Sequence, residues 1–375
     1  MPTNGVVWAL ALSCAFSGVA RAMEEEPQPQ AAAPSSVSST DEILNQDRYV
    51  TNDVTYVSCD PPWHGPHLYA GTEFSALRIH SRTGGTTTAS FSDTTGPGVS
   101  TRAFRERNGV DDWGFAPRIW LGAEILEGWS IQGRYWRLSD SDEHVPNANP
   151  AIANVGTNFA TFEETDFVNA SIADAEGMKS WQWGKWKADA FVGGRHAELR
   201  SESDFLGFGV FTTGNFVNLI LQNGIDFDGA GVTYGGTLRR QIGNSHSFVY
   251  CTARGSELEG HTTSFARADG AIASSPSAPL VGAATVTRAD ADARMYIFEL
   301  QGGWEYEQSL AFCPANFFFR VGYELQRWDI DGLPTGGAGF GGTIGEITTN
   351  SFASADARKA GLVVEGVTLG TGLTW

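Results

Sequence analysis

The sequence predicts an all-β fold, a transmembrane up-and-down antiparallel β-barrel of about ten strands. Three observations predict it. Gly366 to Trp375 alternates, with Val367, Leu369, Leu373 and Trp375 on one parity and Gly366, Thr368, Gly370, Gly372 and Thr374 on the other. Period-2 alternation is the mark of a strand with one apolar and one small, polar face. No apolar run of 18 or more residues occurs after the N-terminal stretch, so a membrane-spanning chain of this kind would have to cross as a closed barrel. Finally, the connections between candidate strands alternate long and short along the whole chain.

Composition agrees. The 375 residues could hold one large or two ordinary domains. With 45 Gly, abundant Trp and Phe, and only 18% charged residues, long polar helices are poorly supported and a β protein is favoured. A net charge of −18 argues against nucleic acid, which needs a basic footprint.

From the N-terminus, Val6 to Val19 is apolar and ends at Ala20-Arg21-Ala22, a small-x-small cleavage pattern. Residues 1–22 therefore read as a signal peptide, although no Lys or Arg precedes Val6. Ala11-Leu12-Ser13-Cys14 is a poor lipobox, which argues against lipidation. Residues 23–60 follow as a flexible leader, acidic at first and then rich in Pro, Ala and Ser. Residues 66–375 are the expected outer-membrane barrel.

Its ten strands are expected at Pro66–Arg82, Trp113–Leu126, Trp129–Leu138, Phe162–Trp181, Trp186–Arg200, Ile225–Gln241, Ser245–Leu258, Arg294–Tyr306, Phe317–Asp329 and Lys359–Trp375. The second is the clearest. Trp113, Phe115, Pro117, Ile119, Leu121, Ala123 and Ile125 make one stripe, opposite Arg118 and Glu124. In the third, Gln132 and Arg134 oppose Ile131 and Tyr135; in the ninth, Arg320, Glu324 and Gln326 oppose Phe319, Val321 and Tyr323. The fourth, sixth and seventh strands alternate weakly and leave their faces undetermined. Long loops are expected near 83–112, 139–161, 202–224, 259–289 and 330–357. The tight turns fall near 127–128, 182–185, 242–244 and 308–314. Phe205 to Leu221 could add a hairpin, so twelve strands stay open. Five long and four short connections are the pattern of an outer-membrane barrel with both termini on the periplasmic side. Trp129, Trp181, Trp183, Trp186, Trp304 and Trp375 cluster near the short turns, where an interfacial girdle would lie.

Three stretches carry a further resemblance. They are Gly114-Phe115-Ala116-Pro117-Arg118-Ile119-Trp120-Leu121-Gly122, then Gly184-Lys185-Trp186 leading to Gly193-Gly194-Arg195, and Tyr323-Glu324-Leu325-Gln326-Arg327-Trp328. On these the chain resembles, from about Pro66 to Trp375, the Legionella-type major outer-membrane protein family of pore-forming barrels. The resemblance implies a porin-like role and supplies no catalytic residues. Asp174-Ala175-Glu176 matches the family's acidic strand only in part, which leaves its orientation open. The terminal strand resembles those read by the barrel assembly machinery, with Leu369, Leu373 and Trp375 as the signal.

Glu73, Arg118, Glu124, Arg134, Lys187, Asp189, Arg195, Glu299, Arg320 and Glu324 are the candidate pore-lining residues. Charge on the lipid side is expensive, so these groups must point inward. They could line an aqueous pore that sets ion preference, or pair across a narrow lumen and plug it. The expected function is passive diffusion of ions and small hydrophilic solutes through an outer-membrane channel, with outer-membrane lipid and the assembly machinery as partners. The alternative is a sealed structural or adhesive barrel acting through its long loops.

Enzymatic chemistry finds no support: Gly-x-Ser-x-Gly, His-Glu-x-x-His and Cys-x-x-Cys are all missing. No cofactor is expected. Gly337-Ala338-Gly339-Phe340-Gly341-Gly342 fits a dinucleotide pattern formally but has no strand before it or helix after it, and reads as a flexible loop. The seven His show no ligand spacing, His64, His67 and His144 included, so no metal site is expected. Cys59 and Cys313 both fall on the periplasmic side and could be bridged, while Cys251 is left over.

Overall fold

The computed structural model describes residues 67–82, 86–93, 100–105, 111–144, 157–211, 216–273, 281–310, 315–331, 335–344, 347–356 and 360–375. The expected signal peptide and leader, Cys59 and Cys313 lie outside these residues. Fourteen strands form among the described residues. They are β1 (His67–Arg82), β2 (Thr86–Asp93), β3 (Ser100–Arg105), β4 (Asp111–Leu126), β5 (Trp129–His144), β6 (Thr157–Trp183) and β7 (Trp186–Phe211). After these come β8 (Phe216–Gln241), β9 (Ser247–Ala273), β10 (Val281–Ser309), β11 (Asn316–Asp331), β12 (Thr335–Ile344), β13 (Ile347–Asp356) and β14 (Gly361–Thr374).

Ten of them close a barrel in the order β1-β14-β11-β10-β9-β8-β7-β6-β5-β4. Every neighbouring pair is antiparallel and consecutive in the barrel, as an up-and-down topology requires. β1 closes the cylinder by pairing with β14 on one side and β4 on the other. Trp375 completes the seam, its backbone N–H and C=O each bonding Leu68 at 2.8 Å.

The outer wall is unlike the surface of a water-soluble protein. Phe74 (61%), Phe115 (77%), Ile119, Leu121, Ile131, Val192, Val232, Val249, Val367 and Leu369 stand exposed on the outer wall. Trp129, Trp181, Trp183, Trp304 and Trp375 are exposed toward the short-turn end. An apolar wall with an aromatic fringe, around a cylinder that leaves no backbone edge open, is what a bilayer demands. The barrel spans a membrane.

The short turns follow the sequence. Glu127-Gly128 and Gly184-Lys185 are two-residue turns, with Gly128 at φ 70° and Gly184 at φ 55°. Left-handed φ at a hairpin tip is glycine's use, because it matches the twist of the flanking strands.

At the long-connection end much of the expected loop is strand. β6 to β10 run 26–29 residues, whereas β1, β4, β5 and β11 have 16 and β14 has 14. Phe205 to Leu221 adds no hairpin to the barrel; it continues β7 and β8, so the barrel has ten strands and not twelve. The first and last long connections form a second sheet of order β12-β13-β2-β3. Gly337 to Gly342 lies in β12, paired with β13, so the expected loop is a hairpin strand. β12 and β13 lie against β10, β13 and β2 against β9, and β2 against β8. The tall wall and the small sheet thus face each other above the short strands.

Candidate functional site

The inward side chains sort into layers along the barrel axis. Nearest the short turns, Lys187 Nζ pairs with Glu307 at 3.1 Å, and Arg239 reaches Asp189 at 3.2 Å and Glu305 at 3.3 Å. Arg320 also bonds Glu305, its Nε at 3.1 Å, while its guanidinium lies 4.9 Å from the Tyr250 ring centroid. Glu124 accepts the Gly128 N–H at 2.7 Å, so it ties down a turn.

At mid-depth, Arg118 bridges Glu73 at 2.8 Å and Glu324. Gln301 Nε2 donates to Glu73 and Gln326 Nε2 to Glu324, both at 2.6 Å. Beside them Asp174 receives Arg134 Nε and Arg195 Nε, each at 2.7 Å. Glu299 sits 2.6 Å from Arg195, 3.2 Å from Arg134 and 3.7 Å from Arg254. Arg254 bonds Glu176 at 3.0 Å and covers the Phe191 ring, 4.4 Å from its centroid. Four guanidiniums and five carboxylates therefore interlock, all buried. Charges withdrawn from water persist only when paired and hydrogen-bonded in this way.

Above the ions the filling turns apolar. Twenty-one buried residues make one cluster, and each of the ten barrel strands contributes. Leu77 and Ile79 come from β1, Trp136 and Leu138 from β5, Leu199 from β7, Phe227 from β8, Met295 and Ile297 from β10, and Trp328 from β11. Trp136 and Trp328 pack with ring centroids 5.8 Å apart. Trp328 Nε1 donates to Gln326 Oε1 at 3.1 Å, which joins the apolar layer to the ionic one. Higher still, small polar groups line the interior, one from β1 and the rest from the tall wall. Ser81, Ser201, Ser203, Asn223, Thr262 and Ser264 are buried, and Ser201 bonds Ser81 at 3.3 Å.

All ten candidate lining residues fall on the inward parity of their strands, and nine of them lie in the ion-pair layers with Glu124 on the turn. The expected free lining is instead a set of mutual partners. Asp174 and Glu176, whose orientation was open, both point inward. Arg239, Arg254, Glu305 and Glu307 complete the network with them and are not among the residues the sequence singles out. β6 and β9 alternate weakly because Ala173, Ala175, Gly177, Cys251, Ala253 and Gly255 occupy much of the parity opposite Asp174, Glu176 and Arg254 and give little apolar contrast. Charge parity was the available signal: Asp174/Glu176 and Thr252/Arg254/Ser256 each hold one face.

On the outer wall, β7 and β8 bring His196, Glu198 and Asp228 together, with one ligand atom of each within 4.8 Å of the others. Sequence spacing could not reveal this group, because Asp228 arrives from the neighbouring strand. Cys251 is an exposed free thiol on the same wall.

No family model matches the chain, and no curated protein matches it. Solved structures with some likeness include the outer membrane protease OmpT from Escherichia coli, 10% identical over 82% of this chain and 96% of that one, with a TM-score of 0.37. The CymD monoaromatic hydrocarbon channel is 10% identical over 83% of this chain and 88% of that one, at 0.24. The Pseudomonas putida toluene transporter TodX is 7% identical over 81% of this chain and 89% of that one, at 0.21. Likenesses this slight carry no argument about activity.

Proposed function

We propose that the protein is a sealed outer-membrane barrel, exported through its N-terminal signal, that acts through the sheet structure it raises above the membrane. One observation carries this reading: the apolar layer takes buried side chains from every strand of the barrel, which supports a cross-section filled at that level. Ions and hydrophilic solutes need a continuous wet path, and a fully buried Trp136, Trp328, Leu77 and Ile79 leave none at that level. A ten-stranded cylinder is only slightly wider than the eight-stranded barrels that side chains fill. The ionic layer below then serves as packing, and the likeness to a pore-forming family lies in the framework.

The raised structure is the part left to act. Five strands extend past the rest, and two hairpins from opposite ends of the chain join into a sheet that faces them. The test is conductance of the purified, refolded protein in a planar bilayer. Silence is expected from a barrel shown to be folded. Discrete, salt-dependent steps whose ion preference changes in Arg118→Ala or Arg320→Ala would restore the diffusion pore.

A further inference from the structure

Just above the apolar belt, the outer wall of β7 and β8 changes character within one pair of residues. Val192 and Gly194 on β7 give way to His196 and Glu198, and Val232 and Ala230 on β8 to Asp228. Glu198 is the cross-strand partner of Asp228, Asp228 of His261, and His261 of Asp292. A lateral row of three carboxylates and one imidazole thus crosses four strands, with His196 one pair below Glu198.

Within that row one place is compact. His196 Nε2 lies 2.9 Å from Asp228 Oδ1. Glu198 stands two residues from His196 on the same face, so two ligands come from one strand and the third from its neighbour. Neither Glu198 nor Asp228 forms a salt bridge with an Arg or Lys among the described residues. The surroundings hold surplus negative charge. Asp226 lies two residues along β8 on the same exposed face, while Arg200 is taken up by Glu202 at 2.6 Å.

We propose that His196, Glu198 and Asp228 form a site for a divalent transition ion of the zinc class, with its remaining position open to the outside. An imidazole beside two carboxylates is the donor set that such ions prefer, whereas calcium and magnesium take oxygen alone. The dimensions suit it. Ligand atoms about 2.0–2.2 Å from a tetrahedral ion stand roughly 3.3 Å apart. The 2.9 Å contact must open slightly, and the widest separation, within 4.8 Å, must close by at most about 1.5 Å. Exposed side chains make such movements by small χ rotations. The ion would clamp β7 to β8 where the tall wall leaves the membrane. This site stands whether or not the lumen conducts.

The experiment titrates zinc chloride into the untagged, refolded full chain in detergent, read by calorimetry, with copper(II) substituted for electron paramagnetic resonance. One ion per chain is expected, with a nitrogen coupling in the copper spectrum. His196→Ala should remove that coupling and weaken binding on the order of 10-fold or more; Asp228→Asn should weaken it similarly. His246→Ala, in the turn at the opposite end, should leave both unchanged. Unaltered binding in His196→Ala would overturn the proposal. So would displacement of zinc by an equal concentration of calcium, since that marks an acidic surface and no imidazole site.

Discussion

Glu299 is held by three guanidiniums, those of Arg134, Arg195 and Arg254, at 2.6–3.7 Å. Its environment separates the two uses of an ionic layer. In a wet pore each pair would be screened and worth about 0–1 kcal/mol. In a packed layer, removing one carboxylate strands buried cations and costs about 3–5 kcal/mol. We expect Glu299→Gln to show the larger loss in urea unfolding followed by tryptophan fluorescence, and a loss below about 1 kcal/mol would mean that water reaches the layer. The facing of Glu299 was legible from parity alone, because charge at mid-depth has one affordable direction. What parity does not carry is depth. Glu299 and Lys187 both read as inward, yet one is sealed and the other is about a third exposed.

At the scale of elements, the turns show how far local chemistry can be read. Gly128 and Gly184 have similar left-handed φ, 70° and 55°, but different surroundings. A Cβ at Gly184 would meet nothing within 4 Å, whereas at Gly128 it would lie 2.9 Å from the Ser180 carbonyl and 3.0 Å from Lys179 Nζ. Gly184→Ala should therefore cost only the left-handed penalty, about 1–2 kcal/mol. Gly128→Ala should cost more, because the Ser180 N–H···O=C Gly128 bond pins that turn at 2.7 Å. Equal losses on chemical unfolding would show that the Ser180 contact relaxes freely. The long strands were less legible for a physical reason. Past Leu199 the inner face of β7 becomes Ser201 and Ser203 and the outer face Glu202 and Asp204. Once neither face is apolar, alternation loses its contrast, and strand reads as loop. β12, with its five glycines between Gly336 and Gly342, suffers the same way: its pairing with β13 is long-range information that composition does not hold.

For the whole molecule, the proposed seal has two possible seats: the filling of the cylinder or the sheet above. The two can be separated because β12 and β13 take part in no barrel pair, and β14 is held by its own pairing with β1 and β11. Ile330 N–H reaches the Ala360 carbonyl at 3.4 Å, so the ends of β11 and β14 already lie side by side. A short turn replacing residues 332–358 would thus delete β12 and β13 and keep every barrel pair. We expect that variant to refold, with β-type circular dichroism and the compact electrophoretic mobility of a native barrel. Its loss should appear at the inner faces of β9 and β10, where Ala266, Ala268 and Thr285 are buried in the intact protein. Binding of an apolar dye should rise accordingly. Conductance should stay silent, because the layer of Leu77, Trp136, Phe227 and Trp328 lies below the excision. Open channels in that variant would assign the seal to the second sheet, and make its two hairpins a gate over a lumen that can hydrate.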